Sequence, residues 1–358
     1  MDAKITKLRL SRMLSYDWFK ILIATVAVVV AWILIFTMTR TVISPSQQFS
    51  VHNYLGNVSL SKGEFSQFNA KAFSSDIFSY EVIESSMLDL PQTPSEAGTL
   101  LQARATMEEG DVVFLADSYN PDDITEHKNV DESTGENTFT YEFGYTYLQQ
   151  FVSYYRFYLY DVNEYLEDMR AFVGQYYADG DYKTPSELNK QQVKDDFNAR
   201  TKKDKRFRKA AARAQGEKDE IERIEKYRDT LVKFEWYLEN GVVALTETVI
   251  PDYFGEGKEL RGTYTINMCP TEEKGGATVG GKPAMDKLMN CVAYKPVVMT
   301  EEDGETKLEF GDQTAYNMNV GLYTFGGGDS GYQYESLSYL VFMIENYSAM
   351  LCPTEIYA

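Results

Sequence analysis

The sequence predicts an α/β protein that follows an N-terminal membrane-spanning helix. The first observation is an uncharged run of eighteen residues from Ile21 to Met38, which as a helix would rise about 27 Å, close to the thickness of a bilayer core. The second is an alternation of strand-like and helix-like segments after this run. The third is an aromatic and amphipathic stretch from residue 145 to residue 240, which predicts a helical middle section.

The flanks of the apolar run predict its orientation. Five basic residues precede it against two acidic ones, and such clusters stay on the cytoplasmic side. We therefore expect a cytoplasmic tail (1–20), a transmembrane signal anchor (21–38), a linker (39–48) and an extracellular domain (49–358). A cleaved signal peptide is the alternative, but the run is longer than a usual signal and no small-x-small pattern follows it. The expected location is the cell membrane, with a single pass and contact with lipid through residues 21–38.

The charge of the chain limits the partners of the exported part. The chain holds 35 basic and 54 acidic residues, of which residues 1–40 contribute six basic and two acidic ones. Residues 41–358 therefore hold 29 basic and 52 acidic residues, a net charge of −23. A strongly acidic domain argues against nucleic acid and against adsorption to anionic lipid, because both need a basic face. The composition fits solubility, or a cationic ligand or partner.

The sequence predicts strands and a helix in the first part of the domain, in the order strand, helix, strand. The segment from Phe49 to Asn57 alternates apolar and polar residues, and 78–83 predicts a second strand. Pro94 and Ser95 begin a helix that Gly110 ends, and 111–116 is a short apolar strand of the kind that is buried on both faces.

The rest of the domain divides into a helical middle section (145–240) and a strand-rich end (242–358). An amphipathic helix is predicted at 221–238, with Gly216 as a break before it; packing in the core and partner binding both explain its apolar stripe. The run 200–213 holds eight basic residues and one acid, which indicates a solvated helix face or a phosphate-binding segment. Strands are expected at 242–250, 262–267, 291–294 and 296–299, with a hairpin turn at 300–306 and a final helix at 334–351.

The strand ends supply the candidate ligand-binding residues. In α/β domains, ligands bind beyond the carboxyl ends of strands, where loops and helix N-termini meet. Tyr54 and Asn57 follow the first strand, and Asp117, Ser118 and Tyr119 follow the third. Tyrosine rings can stack on a solute while Asn and Asp form hydrogen bonds. The alternative is ordinary turn chemistry.

The sequence gives little support for catalysis, metal or cofactor binding. The two histidines have no metal-ligand spacing, and no G-x-S-x-G motif is present. The segment 276–282 matches the start of a phosphate-binding loop, but Pro283 stands where Ser or Thr is needed, so a surface loop is expected. Five acids, which are Asp117, Asp122, Asp123, Asp131 and Glu132, indicate a solvated loop more than a calcium site.

The cysteines allow one disulfide outside the cytoplasm. Cys269 and Cys291 enclose a loop rich in Gly, Lys and Glu, and a bridge across it would restrain that segment. Cys352 is left over and can pair with either, and three free thiols are also compatible with the sequence.

Three segments resemble the bilobal extracytoplasmic solute-binding proteins of bacterial ABC importers, of the type II fold. They are FSVHNYLGN from Phe49, FSYEVI from Phe78, and LLQARATMEEGDVVFLAD from Leu100 to Asp117. The resemblance covers about residues 46–119 and implies a periplasmic-binding-protein-like domain that closes around a small solute such as a sugar or peptide. Transporter membrane subunits would then be partners.

The chain departs from this family in keeping a membrane anchor and in lacking a cysteine for lipidation near it. A rival interpretation is therefore a non-catalytic envelope interaction or scaffold protein, whose helical middle section docks another component. A secreted hydrolase ranks last.

Overall fold

The computed structural model describes ten stretches of the chain, which are residues 7–39, 44–56, 77–119, 124–130, 137–183, 188–253, 255–290, 293–300, 306–326 and 331–357. The chain forms two compact units, Met1–Ser44 and Pro45–Ala358. The second unit is mixed α/β, as the sequence predicts.

The first unit is one long helix, α1 (Lys7–Thr39). Its segment Trp18–Phe36 is long and apolar enough to cross a membrane, and none of it is buried against the protein. Exposed side chains of Val, Ile, Leu, Trp and Phe are stable in hydrocarbon and unfavourable in water. The helix fits a single-pass anchor, and a signal sequence has the same properties.

The second unit contains twelve strands and six helices within the described residues. In chain order the strands are β1 (Gln48–Tyr54), β2 (Glu84–Asp89), β3 (Val112–Ala116), β4 (Ile124–Val130), β5 (Asn137–Phe143), β6 (Ala244–Ile250), β7 (Leu260–Asn267), β8 (Thr278–Val279), β9 (Lys282–Pro283), β10 (Ala293–Thr300), β11 (Thr306–Thr314) and β12 (Met318–Leu322). The helices are α2 (Pro94–Thr106), α3 (Tyr147–Tyr155), α4 (Val162–Gly174), α5 (Lys190–Arg200), α6 (Ala210–Glu239) and α7 (Glu335–Tyr347).

Six strands form the main sheet in the order β2-β1-β3-β12-β7-β6. Strands β2, β1 and β3 are parallel, and α2 provides the crossover from β2 to β3. All five residues of β3 are buried, as the sequence predicts for a central strand. Strand β12 enters antiparallel between β3 and β7, with Val320 opposite both Phe114 and Ile266. The sheet is therefore mixed, and its centre joins segments more than 200 residues apart in sequence.

The apolar stripe of α6 lies in the protein core. Ile224, Tyr227, Leu231 and Phe234 are fully buried. Core packing therefore explains the three- and four-residue spacing of this helix, and the stripe is not available to a partner.

Gly216 does not break the helix, contrary to the sequence prediction, because α6 runs through it. A β-carbon at Gly216 would lie 2.5 Å from the ring of Phe197 and 2.7 Å from that of Phe207. The glycine gives two aromatic rings room to approach the helix backbone, which outweighs the weak helix propensity of one glycine.

The prediction of a strand at 78–83 is also wrong. The strand that pairs with β1 is the next segment, Glu84–Asp89. Residues 78–83 are instead held by polar contacts with distant parts of the chain: Glu335 accepts from the backbone N–H of Ser79, and Glu81 pairs with Arg206 at 2.9 Å. Long-range contacts of this kind override the local β preference.

Three two-stranded sheets accompany the main sheet: β4 with β5, β8 with β9, and β10 with β11. Strand β10 contains the described part of the strands expected at 291–294 and 296–299. Residues 291–292 and most of the turn predicted at 300–306 lie outside the described residues. Since the described residues contain one large sheet, a second α/β lobe of the kind that the resemblance implies is not confirmed.

Candidate functional site

Two parallel strands end side by side at one edge of the main sheet. Tyr54 of β1 lies opposite Leu115 of β3, and β2 lies on the other side of β1. In this order the chain passes from β1 to β2 on one side and then crosses back to β3 on the other side, and such a reversal is where doubly wound sheets bind ligands. Tyr54, Asp117, Ser118 and Tyr119 all lie at this edge, which we call the carboxyl edge.

Tyr54 is a core residue at this edge. It is 1% exposed, its hydroxyl donates to Oε1 of Gln150 at 2.6 Å, and the carbonyl oxygen of Gln92 lies 3.1 Å away. Its ring packs on Phe151 with the centroids 5.3 Å apart. The side chain therefore ties β1 to α3 and does not face solvent. Asn57 lies outside the described residues, so its assignment stays a prediction.

Tyr147, in the first turn of α3, closes the space between the strand ends. A β-carbon on Gly56, which has a φ of +76°, would lie 2.3 Å from the Tyr147 ring. The backbone N–H of Tyr147 donates to the carbonyl oxygen of Ser118 at 3.0 Å. Thr146 caps the helix by accepting from the backbone N–H of Gln149 at 3.2 Å. The start of α3 is thus fixed beside the ends of β1 and β3.

Asp117 and Tyr119 remain at the rim. Asp117 is half-buried, and its backbone N–H donates to the carbonyl oxygen of Asn317 at 2.6 Å. Tyr119 is 39% exposed, and its ring lies 4.8 Å from that of Phe143, which is 40% exposed. Ser118 between them is buried. We call the exposed pair Tyr119 and Phe143 the aromatic rim.

Sequence reasoning identified Tyr119 and missed Phe143 and Tyr147. Phe143 is the last residue of β5, and it reaches the edge because β5 pairs with β4 next to the end of β3. Tyr147 was one of many aromatic residues in the middle section, and no local signal separates it from the others. Both positions depend on tertiary contacts.

Two buried carboxyl groups have raised pKa values, a pattern that is also found in catalytic acid pairs. Burial raises the pKa of Asp111 to about 7, and the nearby Glu335 adds to this effect. A hydrogen bond of 2.7 Å from the backbone N–H of Ser50 acts in the opposite direction. Burial also raises the pKa of Glu335, which accepts from the hydroxyl of Tyr227 at 2.7 Å. Neither carboxyl lines the grooves described below, so the pair has no substrate access through them.

Among the described residues, neither histidine is hydrogen-bonded to Asp111 or Glu335. In β1, Nδ1 of His52 lies 3.1 Å from the hydroxyl of Tyr323, and burial together with the charge of Arg104 lowers the pKa of His52 to about 4. On the β4–β5 hairpin, Nε2 of exposed His127 lies 3.1 Å from Oε2 of Glu142. His52 is therefore neutral near pH 7 and His127 belongs to a surface pair.

A buried charged network joins α5, α6 and the segment before α7. The guanidinium of Arg223 forms two hydrogen bonds to Glu220, at 3.0 and 2.5 Å, and lies 4.4 Å above the ring of Tyr332. Arg200 and Tyr80 also bond Glu220, each at 3.0 Å. Burial alone would raise the pKa of Glu220, but Arg223 and Arg200 hold it below its usual value. Every charge in this network has an internal partner, which is typical of a structural network.

Two adjacent grooves run along α6, with volumes of about 420 and 360 Å³. Both are lined by Glu222 and Lys226, and the second also by Phe342 and Glu345 of α7. Nζ of Lys226 donates to the carbonyl oxygen of Phe78 at 3.1 Å. Both grooves are lined by a mixture of acidic, basic and apolar side chains, so the lining of neither groove is specific for one class of ligand.

The phosphate-loop match at 276–282 belongs to a tight hairpin. Gly280 and Gly281 join β8 to β9 with φ values of +64° and +81°, as a type I′ turn requires. The glycines are therefore explained by the turn. Of the calcium candidates, Asp122, Asp123, Asp131 and Glu132 lie outside the described residues. Elsewhere in the described chain, no group of three or more His, Cys, Asp or Glu side chains is placed to hold a metal ion.

Cys269 and Cys352 are both buried, and they form no disulfide with one another in the described part of the chain. Burial raises the pKa of Cys269 to about 12, so this thiol is unreactive near neutral pH. Cys291 lies outside the described residues, and the pairing of Cys269 with Cys291 stays a prediction.

Comparison of the chain with protein-family models found no match. No curated protein matches it, and no solved structure matches it. The geometry of the chain itself therefore carries the functional argument.

Proposed function

We propose that this chain is a membrane-anchored, non-catalytic interaction protein that binds a partner protein at the carboxyl edge of its main sheet. Helix α1 would hold the chain in the cell membrane, and the basic residues before it would keep the N-terminus in the cytoplasm. The α/β unit would then lie outside the cell.

The observation that carries this proposal is the closure of the carboxyl edge by Tyr147. A solute site needs an open crevice between the ends of β1 and β3. Here the Tyr147 ring lies against Gly56, and the hydroxyl of Tyr54 is already bonded to Gln150. Because side chains of the protein itself fill the space between the strand ends, this surface is better suited to contact with a macromolecule than to enclosure of a small molecule.

The aromatic rim is the accessible part of this edge. Tyr119 and Phe143 are each about two-fifths exposed, and their rings contact one another at a tilt of 42°. Aromatic residues are enriched among the residues that dominate binding energy in protein interfaces. An exposed aromatic pair on a closed edge is therefore a suitable anchor for a partner protein.

Site-specific photo-crosslinking in native membranes tests the proposal. A photoreactive residue replaces Phe143, and a matched control carries it at Val279 of β8, which is 39% exposed. We expect one discrete crosslinked band from position 143, absent from position 279 and lost when Tyr119→Ala is added. Equal labelling from both positions, or no band from either, contradicts the proposal.

A second candidate function is the solute binding that the sequence resemblance implies. The β2-β1-β3 order and the half-buried Asp117 next to the strand ends favour it. Thermal unfolding against sugars, peptides, amino acids and polyamines tests it, because a ligand at 100 times its Kd stabilises the fold by about 2.7 kcal/mol. A stabilising solute whose effect is lost in Asp117→Ala, and kept in the surface control Asp195→Ala, would establish this function. No shift with any solute rejects it.

A further inference from the structure

Positive charge is concentrated in one loop of an otherwise acidic unit. Residues 200–213, which end α5 and begin α6, hold eight of the 29 basic residues found after residue 40, with Asp204 as the only acid. The remainder of residues 41–358 then holds 21 basic and 51 acidic residues, a net charge of −30. The loop is therefore a local exception to the charge of the whole unit.

Five cations of this loop are exposed and have no acidic partner in the described part of the chain. They are Lys202, Lys203, Lys205, Arg208 and Lys209. We call them the basic loop. Most other basic side chains of the run are used internally: Arg200 pairs with Glu220, Arg206 pairs with Glu81 and Asp204, and Arg213 bonds Asn198.

The loop is held by contacts of Phe207, Asp204 and Arg206 with the rest of the unit and with one another. The Phe207 ring packs on Phe197 with the centroids 5.0 Å apart, and both rings lie over the bare backbone of Gly216. Asp204 accepts from the backbone N–H of Arg206 at 2.8 Å, and Arg206 reaches Glu81 at 2.9 Å. The five free cations are thus presented by a fixed loop and not by a solvated helix face.

We propose that the basic loop binds the anionic headgroups of the membrane in which the chain is anchored. Lysine and arginine bind phosphate groups by charge-assisted hydrogen bonds. Five residues (40–44) separate the end of α1 from the α/β unit, so the connection spans at most about 18 Å. A short covalent tether to a membrane raises the effective concentration of headgroups at the tethered unit.

Charge repulsion strengthens the assignment. An anionic surface repels the acidic remainder of the unit and attracts the basic loop within about a Debye length, roughly 8–10 Å. The net charge of the whole unit therefore opposes adsorption to anionic lipid, while the charge of this loop favours it. The proposal depends on membrane anchoring and is independent of any partner protein or solute at the carboxyl edge.

The test uses the full-length chain held in nanodiscs of phosphatidylcholine. The nanodiscs are mixed with vesicles of phosphatidylcholine alone or with phosphatidylglycerol, and co-flotation is measured. We expect co-flotation only with the anionic vesicles, and its loss at high salt. Each lysine near an anionic surface contributes about fivefold to partition, so Lys202→Gln/Lys203→Gln should lower partition roughly 30-fold.

The matched control is Lys274→Gln/Lys287→Gln, which removes the same charge at two exposed positions outside the loop. We expect it to float like the parent. Equal flotation with both vesicle types, equal loss in both double variants, or no flotation of the parent overturns the proposal. So does displacement by inorganic phosphate at constant ionic strength, which would assign the loop to free phosphate. An unchanged unfolding temperature shows that the variants are folded.

Discussion

The ring of Tyr147 lies against Gly56 so closely that a β-carbon on Gly56 would be 2.3 Å from it. Gly56 follows β1 with a φ of +76°, a conformation that glycine adopts without steric cost. The two residues together close the carboxyl edge of the sheet. This contact fills space between the strand ends, and the proposed protein-binding surface rests on it.

Substitution of Gly56 by Ala should destabilise the fold by about 2–4 kcal/mol. Overpacking of a buried ring contributes about 1–3 kcal/mol, and the left-handed backbone about 1 kcal/mol. Gly180→Ala is the control, because Gly180 has a φ of +73° and no atom within 4 Å of an added β-carbon. Chemical denaturation of both variants should show a loss of only about 1 kcal/mol in the control. Equal losses would mean that Tyr147 moves aside freely.

Removal of the Arg223 guanidinium should be strongly destabilising. Arg223→Met leaves Glu220 buried with one fewer cation, and breaking a buried ion pair costs about 3–5 kcal/mol. Lys218→Met on the same helix removes an exposed pair with Glu222 and should cost about 0.5 kcal/mol or less. Unfolding free energies measure the difference. A loss below about 1 kcal/mol in Arg223→Met would contradict the structural role of the network.

The buried Asp111 should make the chain less stable as the pH rises. Its pKa is about 7 in the folded chain, above the usual value of 3.8, so the folded state holds a proton that the unfolded state releases between pH 4 and 7. Stability contributed by this group is complete below pH 4 and is lost as the pH rises through 7.

Asp111→Asn removes this dependence and keeps an acceptor for the Ser50 N–H. The variant should therefore gain stability relative to the parent between pH 4 and pH 8, by about 4 kcal/mol at most. Urea titrations at several pH values measure the difference. A constant difference across this range would show that Asp111 is ionised in the folded chain at low pH.

His52 should make the chain less stable as the pH falls, which is the opposite of the effect of Asp111. Its pKa is lowered from 6.5 to about 4, so between these pH values the unfolded state binds a proton that the folded state does not bind. The parent therefore loses stability through this residue as the pH falls from 6.5 to 4. His52→Gln can still bond the Tyr323 hydroxyl and should lose about 3 kcal/mol less over this range. An identical acid sensitivity in parent and variant would refute the assignment.

The fold was predictable where local pattern and burial agree. The continuous apolar run of β3 was predicted correctly, because β3 is paired on both sides and all of its residues are buried. The strand β1 was also predicted, but its alternation indicated a half-buried strand, whereas six of its seven residues are buried. The edge strand β2 was missed, since ESSMLD pairs on one side only and most of its residues are exposed or half-exposed. Strand β12 was also missed, because five residues around a glycine give no alternation.

The candidate site was predictable only in outline. Tyr54, Asp117, Ser118 and Tyr119 were placed correctly at strand ends, because the pattern of parallel strands fixes which ends share an edge. The burial of Tyr54 and the exposure of Tyr119 depend on α3 and on the β4–β5 hairpin. Neither contact leaves a signal in the local sequence.

The sequence by itself determined the apolar helix before the domain, the mixed α/β class and the unequal distribution of charge. These properties are local or additive, and each residue contributes its hydropathy, its periodicity or its charge wherever it lies. The tertiary structure decided that Tyr147 closes the carboxyl edge, that Gly216 admits two rings, and that five cations of the basic loop stay free. These properties depend on which distant side chains meet, and packing in three dimensions settles that for the whole chain at once.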